Sequence, residues 1–139
     1  MSLQNQPFFK IISTSVVGPA HLAVGKICED SCFYITSGNR ITAVVTDGAG
    51  SSKNAATGAT FAARRVAEIL SLCPNFPLRK DIWQAVEIFR GELKQLAQKN
   101  GETLKDYHST LVGAVYDGEK GIFFHIGDGA ALAFSSHGC

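Results

Sequence analysis

The sequence predicts an α+β fold in which an antiparallel β-sandwich or sheet carries an antiparallel helix pair on an outer face. Three observations point there. Runs rich in β-branched and aromatic residues are confined to the two ends of the chain, two consecutive stretches of helical period lie between them, and those stretches are joined by a short segment containing Pro74 and Pro77. Strands, then helices, then strands is not the alternation that builds a parallel sheet.

Phe9 to Val17 mixes β-branched and aromatic residues with polar ones before Gly18-Pro19 breaks the run, which predicts a first strand. Ser31 to Thr36 and Ile41 to Thr46 flank Ser37-Gly38-Asn39-Arg40, a Gly-Asn turn that makes them a hairpin. Ala43-Val44-Val45 is continuously apolar, as in a central strand. After Asp47-Gly48-Ala49-Gly50 the period changes. Ala55, Ala59, Ala62 or Ala63, Val66 and Leu70 recur at helical steps, with Ser51, Ser52 or Asn54 available as the N-cap, and Cys73-Pro74-Asn75-Phe76-Pro77 ends the helix. A second helix is expected from Asp81 to Asn100, its stripe formed by Ile82, Val86, Phe89, Leu93 and Leu96, with Gly101 as its terminal cap. The short connection predicts that the two helices lie antiparallel. Ser109 to Tyr116, Gly121 to Ile126 and Ala130 to Phe134 read as three closing strands, separated by Asp117-Gly118-Glu119-Lys120 and Gly127-Asp128-Gly129.

Composition excludes several function classes. With 13 Lys+Arg against 12 Asp+Glu and no basic run, the 139-residue chain has no electrostatic footprint for nucleic acid or an anionic membrane. A hydrophobic content of 45% is too high for a disordered tail, yet no apolar run approaches the roughly 20 residues that cross a bilayer. Met1 to Pro7 lacks the basic flank and apolar stretch of a signal peptide, so a cytoplasmic protein is expected. Cys28-x-x-x-Cys32 with His21 is compatible with three zinc ligands, but the spacing favours small apolar thiols near a β core over a zinc site.

The chemistry is expected at acidic residues beside glycines. Asp47-Gly48-x-Gly50 follows a buried strand, Gly127-Asp128-Gly129 repeats the arrangement at another strand end, and Glu29-Asp30 precedes the hairpin that delivers Asp47. Hairpin neighbours lie about 5 Å apart, which lets Asp30 and Asp47 face one pocket. Clustered carboxylates repel unless protons or a cation offset their charge, and a donor set of oxygens without paired histidines suits Mg²⁺ or Mn²⁺. Other motifs fail on the letters. Gly48-x-Gly50-x-x-Lys53 lacks the third glycine of a dinucleotide fingerprint, Ser52-Lys53-Asn54 is not a Walker loop, and no Gly-x-Ser-x-Gly elbow is present.

Taken in order, Cys28-Glu29-Asp30-Ser31, Val44-Val45-Thr46-Asp47-Gly48-Ala49-Gly50-Ser51, His108-Ser109-Thr110-Leu111-Val112 and His125-Ile126-Gly127-Asp128-Gly129 resemble the early motifs of the metal-dependent serine/threonine protein phosphatases of the protein phosphatase 2C type. The resemblance runs from about Gly18 to the last residue. It implies a β-sandwich with helices on its outer faces, a phosphoprotein substrate and two Mg²⁺ or Mn²⁺ ions, with a weaker third. By position, Asp47 would bridge the metals, the Gly48 carbonyl would bind one, Glu29 and Asp30 would hold that metal directly or through water, and Asp128 would belong to the third. Asp47 and Asp30 are thus the residues that the resemblance makes catalytic, through two ions that lower the pKa of a water for in-line attack on the phosphoryl group.

Where the family usually carries a phosphate-holding arginine, this chain has Gly25, with Lys26 as the neighbouring candidate. Ala49 stands where some members have histidine, and Gly129-Ala130 replaces the usual Ser-Arg. Two further aspartates that complete the family's site belong to later strands. Residues 1–139 are therefore expected to be one partial domain, the first part of a larger one, either catalytic or a regulatory or binding module that lacks part of the site. Strands left without neighbours predict self-association or pairing with a chain that completes the sheet.

Overall fold

A computed structural model describes residues 9–134 of the chain. Met1 to Pro7, His137 and Cys139 lie outside the described residues. A short helix α1 (Pro19–Ala23) precedes strands β1 (Asp30–Ser37) and β2 (Arg40–Asp47), helices α2 (Ala55–Ser71) and α3 (Arg79–Lys99), a 3-10 turn at Leu104–Tyr107, and strands β3 (Leu111–Tyr116) and β4 (Gly121–Ile126). The strands form one antiparallel sheet in the order β1-β2-β3-β4. The fold is α+β, and within the described residues it is a sheet rather than a sandwich.

Side-chain alternation decides where the helices go. Thr42, Val44 and Thr46 of β2 are buried, whereas Val45 and Asp47 face the other way and are exposed. α2 packs on the buried face through Ala55, Gly58, Ala59, Ala62, Ala63, Val66, Ala67 and Leu70. These small side chains bring the helix backbone close enough for the Thr46 hydroxyl to donate to the Ala59 carbonyl at 2.9 Å. The connection 72–78 folds α3 back along α2, and Arg65 grips Glu92 with two hydrogen bonds of 2.6 and 2.8 Å. Ile82, Val86, Phe89 and Leu93 of α3 join Val66, Leu70, Leu111 and Val115 in one apolar cluster, each large side chain contributing about 1.5–3 kcal/mol. Gly113 belongs to this face because the Phe124 ring of the neighbouring strand fills the space a side chain would need.

Polar groups close the helix ends. Arg40 donates to the carbonyls of Ser71, Cys73 and Asn75 at 3.2, 2.6 and 2.8 Å, satisfying one acceptor at the end of α2 and two in the loop that follows it. The Asp81 carboxylate accepts the Leu78 N–H at 2.7 Å and opens α3 two residues earlier than the periodicity indicates. Asn54 holds the N-cap position of α2, but its amide side chain turns to Glu102 instead of capping the helix.

Two expected strands are absent. Phe9 to Val17 crosses the open face of the sheet as irregular chain, tied by side chains: Ser13 Oγ to Cys32 Sγ at 2.9 Å, Ser15 Oγ to the Asp30 carbonyl at 3.2 Å, and Phe9 edge-on to Tyr116. Ala130 to Phe134 is also irregular and exposed, with Leu132 at 77% and Phe134 at 74%. Both have strand composition, but strand propensity is expressed only against a pairing neighbour, and neither meets one among the described residues. No described helix is long and apolar enough to cross a membrane.

Candidate active site

The β1–β2 register makes Asp30, first in its strand, the direct partner of Asp47, last in its own. Both carboxylates therefore leave the sheet at one end and on the face opposite the helices. Thr46, 4% exposed, holds this end by donating to the carbonyls of Ser31 and Ala59. Asp30, Asp47 and Asp128 line a single open cleft of about 380 Å³, together with Ser31, Val45, Thr110 and Val112. Thr14, Ser15 and Val16 also line it.

Glu29 stands behind the cleft rather than in it. Its carbonyl accepts the Gly48 N–H at 3.1 Å, its Oε1 is 3.8 Å from Lys26 Nζ, and its Oε2 is buried with no hydrogen-bond partner among the described residues. That oxygen lies against Gly50 in the loop following Asp47. Desolvation, a hydrogen bond shared with Asp30, and the charges of Asp30, Asp128 and Glu29 push the Asp47 carboxyl above the ordinary carboxylate range. Three acids thus act on one position.

Gly48 is required by space. A Cβ there would lie 2.5 Å from the Glu29 carbonyl oxygen and 2.9 Å from the Ala55 carbonyl carbon and oxygen. The strand end, the acidic pair and the start of α2 converge on this residue, and any side chain would force them apart.

The loop that follows is clamped by the segment after α3. Ala49 N–H donates to the His108 carbonyl at 2.9 Å, Ser52 Oγ to the Lys105 carbonyl at 2.9 Å, and Asn54 N–H to the Asp106 carbonyl at 2.7 Å. Glu102 receives Lys53 Nζ at 2.6 Å, Asn54 Nδ2 at 2.8 Å and the Tyr107 hydroxyl, and these donors hold its carboxyl down at about 2. Asp47 is fixed from the same side: Thr110 N–H donates to its carbonyl and its own N–H donates to Thr110 Oγ1.

With this geometry in place, a model of the family described as Protein phosphatase 2C matches residues 17–138. The chain belongs to the protein phosphatase 2C family. No curated protein and no solved structure matches it.

The family's phosphatases depend on Mg²⁺ or Mn²⁺, and the residues can be tested for that requirement. The donors are anionic oxygens, Asp30 and Asp47 are direct cross-strand partners, and Glu29 Oε2 is a buried acceptor with no donor among the described residues, all of which suit a hard cation. Among the described residues, however, no three His, Cys, Asp or Glu side chains close on a common point. The donor chemistry suits a hard cation, but the described residues do not by themselves form a ligand set for one.

Of the residues expected at the site, Asp30, Asp47 and Asp128 are brought together, Glu29 stands adjacent, and Gly48 occupies the junction between them. Lys26, the candidate for substrate phosphate, is directed at the Glu29 carboxylate. Cys28 and Cys32 face Ser15 and Ser13. In the sequence, Thr110 belongs to the His108–Val112 motif but has no assigned role, and Glu102 is not singled out. The role of Thr110 is legible only from the register that sets it opposite Asp47. Glu102 reads as a solvated acid after a helix end until Lys53, Asn54 and Tyr107 are seen around it.

Proposed function

We propose that this chain contributes the Asp30–Asp47 side of a site that hydrolyses phosphoserine and phosphothreonine in proteins. The supporting observation is that Asp30, Asp47 and Asp128 line one cleft, beside a buried Glu29 oxygen that has no hydrogen-bond partner among the described residues. The cleft is open and its carboxylates are exposed, which suits a phosphorylated side chain on a protein surface better than a small molecule that needs enclosure.

Asp47 and Asp30 would hold Mg²⁺ or Mn²⁺, with Glu29 and the Gly48 carbonyl beside them and Asp128 on the other wall for a weaker ion. When bound, these ions supply charge for the phosphoryl oxygens and an acidified water as nucleophile. The chain's own residues orient the site: Thr46 and Gly48 fix the strand end, and the segment from Glu102 to Thr110 keeps the following loop from moving away. Lys26 would have to turn from Glu29 to offer a single point charge to an incoming phosphate, without the two-pronged geometry of arginine.

A second reading, a binding or regulatory module that lacks part of the site, is supported by the absence of any three clustered ligands among the described residues. Mn²⁺-dependent phosphate release from a phosphothreonine peptide, measured beside Asp47→Asn, separates the two. Release that the substitution abolishes supports the phosphatase. Saturable Mn²⁺ binding without release supports the module, and equal release by both proteins contradicts the catalytic assignment. Exposed Tyr34, Val45, Tyr116 and Phe123 on the sheet support pairing with a second copy or another chain, and a sharp monomer in sedimentation at high concentration would oppose it. Cys28, Cys32 and Cys73 form no disulfide among the described residues, in keeping with a reducing compartment such as the cytoplasm.

A further inference from the structure

Thr110 lies between the two turns that carry Asp47 and Asp128. The register pairing Val45 with Val112 and Gly48 with Ser109 sets Thr110 directly opposite Asp47. A regular hydrogen-bonded antiparallel pair exchanges two backbone bonds. Here Thr110 N–H donates to the Asp47 carbonyl at 2.8 Å, but Asp47 N–H donates to the Thr110 hydroxyl oxygen at 3.0 Å. A side chain has taken the place of a backbone carbonyl at the residue where the ladder leads into the acidic loop.

The other branch of the same side chain meets the second turn. A Cβ added to Gly127 would lie 3.1 Å from Thr110 Cγ2 and 3.3 Å from Thr110 Cβ, so the methyl group packs against the residue preceding Asp128. Val112 is the next residue along this face, and it does the same at Gly129, where a Cβ would lie 2.7 Å from Val112 Cγ2. Gly127 and Gly129 both have positive φ, 84° and 124°, so the turn has a shape that a side chain at either position would strain.

We propose that Thr110 is a positioning residue whose hydroxyl fixes the backbone carrying Asp47 while its methyl fixes the turn carrying Asp128. One side chain then sets the separation of two carboxylates across the cleft. Serine would keep only the first contact and valine only the second. The proposal rests on the reading of this cleft as a cation site, and its test keeps the two claims apart.

Thr110→Val and Thr110→Ser are compared in the metal-free full chain by amide hydrogen exchange and amide chemical shifts, then titrated with Mn²⁺ by calorimetry. Thr110→Val is expected to speed Asp47 amide exchange about tenfold, the loss of one net hydrogen bond, while β3 amides such as Val115 keep their protection. Thr110→Ser is expected to leave Asp47 exchange unchanged and to shift the Gly127, Asp128 and Gly129 resonances. Each variant should weaken Mn²⁺ binding about tenfold, as loss of a supporting contact behind a metal ligand does. A merely structural role would lower exchange protection across the whole sheet and leave the folded protein's Mn²⁺ affinity unchanged. Wild-type exchange at Asp47 in Thr110→Val, or unmoved 127–129 resonances in Thr110→Ser, overturns the proposal, and the serine variant decides alone if the valine variant does not fold. If the wild-type chain binds no Mn²⁺, the cation reading falls, while the exchange and shift pattern still decides whether Thr110 holds the two turns.

Discussion

Gly48→Ala should be the most destabilising single methyl addition near the cleft. Ordinary contact with a Cβ begins at 3.4 Å, and the added carbon would start 2.5 Å from the Glu29 carbonyl oxygen and 2.9 Å from the Ala55 carbonyl atoms. The nearest atom must therefore retreat by about 0.9 Å. All three atoms are backbone, so no rotamer change relieves the contact. Overpacking of this kind costs about 1–3 kcal/mol, and a backbone-only contact belongs at the upper end. The strain also stretches the Gly48 N–H bond to the Glu29 carbonyl, now 3.1 Å. Roughly 3 kcal/mol in a chain of this size corresponds to a Tm drop of about 10 °C, read by circular dichroism. Gly50→Ala is the control: its Cβ would meet only Glu29 Oε2, at 3.5 Å, and neither glycine has a positive φ. The control should shift Tm by no more than about 2 °C. Equal, small shifts in the two variants would refute the claim that strand end, acidic pair and helix start meet at Gly48.

Two further predictions concern charge. The Glu102 carboxyl is held down at about 2 by Lys53, Tyr107 and Asn54, against 4.5 ordinarily, so the stability it contributes is complete above about pH 4.5 and is lost as pH falls toward 2. Glu102→Gln should flatten the fall of Tm across that window, and a slope identical to wild type would show that the clamp on the loop contributes nothing to folding. Asp47 is shifted the other way, by desolvation and then by its acidic neighbours, so its ionised form destabilises the metal-free protein above its folded pKa and the cost vanishes below its unfolded one. Asp47→Asn should raise the metal-free Tm at pH 7 by about 2–4 °C, an exposed-site effect of roughly 0.5–1 kcal/mol, and should do little at pH 3. A lower Tm at pH 7 would mean the carboxylates are not crowded.

The sequence made the two hairpins and both long helices legible because each carries its own period and turn residues. Asp30 and Asp47 were legible as a pair for the same reason, since a two-residue turn at Gly38-Asn39 fixes the register that sets them opposite each other. Phe9 to Val17 and Ala130 to Phe134 have strand composition without being strands, because a β-rich composition does not state whether a neighbouring strand is present. The 3-10 turn at Leu104–Tyr107 went unseen, although Thr103 and Asp106 spell its start: the Asp106 carboxylate accepts the Thr103 N–H at 2.8 Å and its hydroxyl at 3.0 Å. Thr110 and Glu102 act through partners more than 45 residues away in the chain, Asp47 and Lys53, and no local pattern announces such contacts.

Paramagnetic broadening of backbone amides by substoichiometric Mn²⁺ tests most directly that the acids at the ends of β1 and β2 form a cation site. The account predicts that Asp30, Asp47, Gly48 and Asp128 broaden first, that β4 amides such as Phe123 persist, and that Asp47→Asn removes the effect. Broadening centred on His21, Cys28 and Cys32, or spread evenly over surface acids such as Glu87 and Glu119, would contradict it.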